Sequence, residues 1–322
     1  MKDMLIIILM FAVMTFSLPL ISRVGAARGA ASSETLRDAP EFPGNVRVYL
    51  NETGKTETVP AEDYIIGCLC AQIPINYRPE ALKAQAAASA TYALKLMGEL
   101  AGSGELPEGA DISDDRQLCQ PFMPENERTE TYGADYGKYF DVLHDAAVYG
   151  ISHIITYDGA PIYAVYHSVS AGGTCPSEYI WGQSLPYLRR AESPWDEAYM
   201  NWECTNEMRS EDIRAALARY DSGIDIPVDP ARWFTEMNTD ENGYVISVKI
   251  GSNTFSGGDL WRILGLRSSS FTVSCTDNIF TFTTRGYGHG AGLSQYGANA
   301  MAASGSTAEQ ILMHYYAGVT LT

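Results

Sequence analysis

His289 stands in the run Gly286-Tyr287-Gly288-His289-Gly290, where glycine takes every second position. Glycine admits positive φ and lets a ligand approach bare backbone. A helical pattern follows, and the free N–H groups of a helix start bind sugar hydroxyls or carboxylates. The same residues also suit a tight strand-to-helix turn that His289 merely caps. A second cluster, Tyr166-His167-Ser168-Val169-Ser170-Ala171-Gly172-Gly173-Thr174, ends a strand pattern in a small polar loop. His167 beside Ser168 invites a hydrolase reading, but strand neighbours face opposite ways and no third member is positioned, so a catalytic triad is a poor fit. His167 and Cys175, with Cys68 or Cys70 as a further candidate, carry zinc-ligating side chains at wider spacing than structural zinc sites use. The favoured expectation is no metal, with buried thiols and a hydrogen-bonded histidine. Trp181, Trp195 and Trp202 suit either stacking on sugar rings or plugging the edge of a core.

These residues need a scaffold. Val46, Val48 and Leu50 alternate with Arg47 and Tyr49 as a strand. A helix is expected from Pro60 or Ala61 to about Ala71, closed by Pro74. The clearest helix runs from Pro79 to Met97, with proline at its first position and Glu80 at its positive end. Leu82, Ala86, Ala90, Ala93 and Met97 share one face, and so many alanines allow close packing. Residues 98–130, rich in Gly, Pro, Asp and Glu, read as an exposed insertion. A helix over Tyr136 to Tyr149 precedes strands at 152–157 and 161–168, joined by the hairpin signal Asp158-Gly159. Ser210 to Tyr220 reads as a helix capped by Ser210. Strands are expected at 244–250, 271–275 and 279–284, then helices at 294–303 and 307–316. Strands and helices mix without a βαβ rhythm, which predicts an α+β fold: one mixed domain, 45–322, of short strands and packed helices.

The chain of 322 residues has 46% hydrophobic and 19% charged residues, an ordinary globular balance, and a net charge of −17 that leaves no basic face for nucleic acid. After Lys2, Met4 to Ile21 is almost wholly apolar; at 1.5 Å per residue it reaches roughly 27 Å, near the lower limit for crossing a bilayer. The small residues Gly25 to Ala31 beyond it would suit a signal peptidase. Residues 1–24 are therefore read as a cleaved signal or an uncleaved anchor, and 25–44 as a linker; both place the rest outside the cytoplasm, membrane-anchored or secreted. Six cysteines in an exported chain make disulfides possible, but they form no compact framework, and Cys68 and Cys70 face different sides of one helix.

Three ordered segments resemble the stage II sporulation protein D and amidase-enhancer family. The first is Ala61-Glu62-Asp63-Tyr64-Ile65-Ile66-Gly67, then Ala71-Gln72-Ile73-Pro74 and Pro79 to Ala86. The second is Phe255-Ser256-Gly257 through Arg262, Leu264, Leu266, Arg267-Ser268 and Phe271. The third is Arg285 to Ala298 with Ile311-Leu312-Met313-His314-Tyr315-Tyr316. The resemblance implies a lytic transglycosylase acting on peptidoglycan glycan strands, with a possible cell-wall amidase as partner. It implies a substrate groove lined by His167, Ser168, Ser170, Tyr287, His289, Gln295 and Tyr296. The family's catalytic glutamate falls at Gln72, and an amide neither gives nor takes a proton in the working range. Ala90 likewise replaces an arginine usual in the family. Glu80, Glu62 and Asp63 are the acids near enough in sequence to be weighed as substitutes.

Overall fold

The computed structural model describes residues 39–322, so the N-terminal hydrophobic segment and most of the linker lie outside the described residues. Among the described residues no helix is long and apolar enough to cross a membrane. The architecture is mixed α+β: short strands in several small sheets, with packed helices. The chain divides into two compact units, one of residues up to 165 together with 298–322, the other of residues 166–297.

In the first unit, β1 (Asn45–Leu50) pairs antiparallel with β2 (Lys55–Pro60). Val46, Val48 and Leu50 are buried on one face, as their alternation requires. Helix α1 (Ala61–Gln72) follows directly and stops where Ile73 turns extended before Pro74. Helix α2 (Pro79–Leu100) starts with proline at N1. It packs on α4 (Ala134–Ile151) so closely that a Cβ on Gly150 would lie 2.6 Å from the Ala86 backbone. The alanine run thus serves helix–helix contact.

Residues 101–109 are largely exposed, but the stretch after them is not a free insertion. β3 (Ile112–Ser113) pairs parallel with β1, and Cys119, Gln120 and Pro121 are buried. Phe122 stacks on Tyr64 with ring centroids 5.4 Å apart, and a Cβ at Gly67 would strike its ring at 2.4 Å. Helix α3 (Glu125–Tyr132) then leads into α4.

The Asp158-Gly159 hairpin forms, both residues with positive φ, between β4 (Ile155–Tyr157) and β5 (Ala160–Pro161). The expected strand over 161–168 is interrupted: only β6 (Tyr166–His167) is sheet at its far end. Ile162 to Val165 are buried apolar residues, and such a run resembles a strand whatever its backbone pairing.

In the second unit, α5 (Ser177–Trp181) precedes a three-stranded antiparallel sheet. Its order is β11 (Ser270–Thr276), β12 (Ile279–Arg285), β7 (Glu203–Arg209). Helix α6 (Ser210–Tyr220) begins at Ser210 itself; Arg209 holds the cap position without a side-chain bond, which corrects the expected cap. β8 (Phe234–Thr239), β9 (Val245–Ile250) and β10 (Asn253–Phe255) form a second sheet. Helix α7 (Gly257–Leu264) carries a Ser256/Asp259 capping box. Trp233, Phe271, Phe280 and Phe282 fill the core, together with Ile213, Leu217 and Leu260. β13 (Leu293–Ser294) lies parallel to β6, and α8 (Gln295–Ala303) carries the chain back to the first unit. There α9 (Ala308–Tyr315) and β14 (Thr320–Leu321) complete the fold, β14 pairing with β4.

Candidate functional site

Gln72 is the last residue of α1 and 3% exposed. Its Nε2 donates to the Pro121 carbonyl at 3.0 Å, so the 119–124 segment fixes the amide in place. Ala90, the residue read as replacing an arginine usual in the family, is fully buried on α2 beside Thr91, whose hydroxyl accepts from the Ile155 N–H.

Two of the three acids weighed as substitutes, Glu80 and Asp63, are engaged by other groups. Glu80 bonds Lys83 at 2.8 Å and accepts from the Ala308 N–H at the start of α9. Lys83 chiefly, with Ala308, holds the Glu80 carboxyl below its usual range, against the opposing effect of burial. Such a group stays ionised and makes a weak proton donor near neutral pH. Asp63 lies 3.8 Å from the guanidinium of the buried Arg128, and Glu62 is half-buried in the first turn of α1.

The second unit gathers the remaining candidates. The parallel pairing of β6 with β13 puts Tyr166 opposite Leu293 and His167 opposite Ser294. An antiparallel bridge joins Val169 to Tyr287. The two sequence clusters therefore lie side by side, with imidazole centroids of His167 and His289 5.7 Å apart. The alternating glycines make this approach possible. Gly288 has φ 105° and a Cβ there would lie 2.9 Å from the His167 Cβ; at Gly290 it would strike the Tyr244 ring at 2.5 Å.

One peptide orients both imidazoles. The Ala291 carbonyl accepts from His167 Nδ1 at 3.1 Å, while the Ala291 N–H donates to His289 Nδ1 at 3.1 Å. His167 therefore carries its proton on Nδ1, and its Nε2 lone pair is buried without a hydrogen-bond partner. His289 is its complement, an acceptor at Nδ1 with the Tyr166 backbone as its other partner. Trp181 and Trp261 close around His289, with centroids at 5.3 and 6.3 Å. Burial pushes His289 down to about 4 and, with the neighbouring His289, pushes His167 down to about 3. Both rings are neutral near pH 7, suited to hydrogen bonding rather than to acid catalysis. No serine is held on His167 Nε2, so the triad reading has no geometry behind it.

Ser168 accepts the Tyr296 N–H on its carbonyl at 3.0 Å. Gln295 is 2% exposed at the first position of α8, while Tyr287 and Tyr296 are half-buried. Tyr296 meets Tyr199 edge-on at 5.2 Å. Cys175 donates its N–H to the Gly290 carbonyl, and burial raises its thiol well above the ordinary range, which disfavours the thiolate a metal requires. Among the described residues no three His, Cys, Asp or Glu side chains converge to hold a metal ion, and all six cysteines are free thiols.

Sequence reasoning missed Asp196. This fully buried carboxylate accepts from the Ser170 N–H at 2.9 Å, from Ser170 Oγ at 2.5 Å and from Ser294 Oγ at 3.0 Å, with Ser193 also bonded. Burial raises its pKa and the serine donors oppose that rise. Asp196 thereby ties the 168–174 loop to the start of α8, and Ser170 acts as a strut of the loop. An aspartate inside the Pro- and Trp-containing stretch 193–196 was the only sequence signal.

The chain is thus a mixed α+β protein whose alternating-glycine turn is pinned against a histidine-bearing strand end. A family model described as Stage II sporulation protein matches residues 49–148. The chain is 32% identical over 317 residues to Stage II sporulation protein D of Bacillus amyloliquefaciens, covering 95% of this chain and 90% of that protein. Its identity to the Bacillus subtilis (strain 168) protein of that name is also 32%, over 94% of this chain and 84% of the relative. An Amidase enhancer of Bacillus subtilis (strain 168) is 24% identical over 80% of this chain and 40% of its own length. The chain belongs to the stage II sporulation protein D family.

Proposed function

We propose that this protein acts outside the cytoplasm in sporulation, holding peptidoglycan glycan strands without cleaving them and supporting a cell-wall amidase. The observation that carries this reading is Gln72, a buried amide tied to Pro121 where the family resemblance puts a glutamate. In lytic transglycosylation one carboxylic acid protonates the glycosidic oxygen as the C1–O bond breaks. The resulting carboxylate then takes the proton from the sugar's own 6-hydroxyl as that oxygen bonds to C1, giving a 1,6-anhydro ring. One carboxyl group performs both steps, unlike the usual two-carboxylate glycosidase. An amide performs neither. The ionised Glu80 does not supply the missing proton, being committed to Lys83 and Ala308.

Sugar binding has separate support. Half-buried Tyr199, Tyr287 and Tyr296 stand in the unit that holds the His167–His289 pair, and their partly exposed rings offer surfaces on which sugars can pack. The amidase partner is inferred from the relative that bears the name Amidase enhancer, and the extracytoplasmic location from the hydrophobic run Met4 to Ile21.

The test is incubation of the exported part, unmodified and as Gln72→Glu, with glycan strands stripped of stem peptides, followed by mass spectrometry. The unmodified protein should bind strands and release no anhydro-muramyl ends, and Gln72→Glu should release them. Release by the unmodified protein would overturn the non-catalytic reading.

A further inference from the structure

Arg267 lies between α7 and β11 in the second unit. Its guanidinium covers the Tyr287 ring, 4.8 Å from the centroid, and bonds the Tyr199 side chain. Its Nη1 reaches the Cys204 sulfur at 3.6 Å, a weak acceptor. Tyr199 in turn packs edge-on against Tyr296. The four side chains of Arg267, Tyr199, Tyr287 and Tyr296 are all half-buried, so the cluster is open at one side.

What the cluster lacks is an acid. In a chain with 39 acidic and 22 basic residues, many arginines of this unit meet a carboxylate: Arg190 has Glu192 and Glu241, Arg262 has Asp259 and Arg285 has Glu203. Arg267 forms no ion pair with any described residue, and its Nε is buried without a hydrogen-bond partner. A guanidinium is always charged and presents its donors as a planar fork that matches a carboxylate. Holding one part-buried among neutral rings costs stability unless an anion completes it.

We propose that Arg267, framed by Tyr199 and Tyr287, is a carboxylate subsite for the glycan strand. The proposal rests on the glycan-binding reading above and adds what that reading leaves open, namely which chemical group on the strand fixes its position. A glycan strand offers a carboxylate from two sources. One is the lactyl ether of a muramoyl residue, freed when the stem peptide is removed; the other is the stem peptide itself.

The experiment measures binding of the unmodified protein, Arg267→Gln and Arg267→Lys to four ligands: stripped glycan, the same glycan with carboxyls reduced to alcohols, glycan retaining stem peptides, and an oligomer of N-acetylglucosamine, which has no carboxylate. A charge-assisted bond predicts that the unmodified protein prefers carboxylate-bearing glycan over the reduced form by about tenfold to a hundredfold. Arg267→Gln should lose that preference while binding the oligomer as before, and Arg267→Lys should keep part of it. Preference for stripped glycan assigns the lactyl carboxylate, and preference for peptide-bearing glycan assigns the stem. Equal binding of native and reduced glycan overturns the subsite while leaving glycan binding intact. Failure of the unmodified protein to bind any of the four overturns both. The reduced-glycan comparison needs no variant, so a folding defect in Arg267→Gln cannot obscure the result.

Discussion

At the scale of single residues, most of the site's chemistry is set by burial. His167 and His289 are neutral because desolvation disfavours their charged forms, and their folded values of about 3 and about 4 lie below the ordinary histidine value near 6.5. The sign of the linkage follows. Above the unfolded value both states are neutral and the pair costs nothing. As pH falls below about 6.5 the unfolded chain takes up protons that the folded chain refuses, so stability is lost progressively down to the folded values. Urea unfolding at pH 7, 5.5 and 4.5 should show falling stability, and His289→Asn should flatten that slope by on the order of 1–3 kcal/mol. The carboxyl introduced by Gln72→Glu should behave in the opposite sense from Glu80. Nearly enclosed, with the Pro121 carbonyl facing it at the distance of a hydrogen bond, it would be favoured in its protonated form. Its pKa should lie above the ordinary glutamate value of about 4.3. The pH profile of anhydro-end release would locate it; a value at or below the ordinary one would remove the rationale for an acid at this position.

At the scale of elements, close helix contact and loop pinning dominate. The Gly150 contact with Ala86 leaves no room for a methyl group. Gly150→Ala should therefore cost about 1–3 kcal/mol by overpacking. Gly98, on the same α2 helix as Ala86, has nothing within 4 Å of a built Cβ, so Gly98→Ala should be neutral or stabilising by up to about 1 kcal/mol. Thermal unfolding of the two variants distinguishes contact from propensity. Much of this level was legible. The 79–97 helix and the Asp158-Gly159 hairpin followed from proline placement, alanine spacing and turn chemistry. The fate of 110–124 was not legible, because its Gly, Pro and acidic composition describes residues 101–109 well and hides the few that matter. Pro121, Phe122 and Gln120 become structural only when α1 supplies Gly67, Gln72 and Tyr64 as partners.

At the scale of the whole molecule, residues 166–297 form a compact unit contributed by one continuous stretch of chain. Its two ends are tied to each other by the β6–β13 pairing and by the Tyr296 N–H on the Ser168 carbonyl. Its core contains Trp233, Trp261 and several phenylalanines. A fragment of residues 166–297 should therefore fold alone, with a cooperative transition and near-ultraviolet dichroism from buried tryptophan; a broad, non-cooperative melt would show that the unit depends on the rest of the chain. The sequence by itself determined the mixed α+β class, the family resemblance, the main helices and the replacement of an acid by Gln72. Each of these is written in residue type and short-range spacing. Only the tertiary structure decided that Ala291 orients two histidines, that Asp196 joins two loops through serines, and that Arg267 stands among tyrosines with no acid of the described residues paired to it. Those arrangements unite residues up to 124 positions apart, as in the bond from His167 to Ala291. Their partners are chosen by packing and desolvation, which no local pattern of residues records.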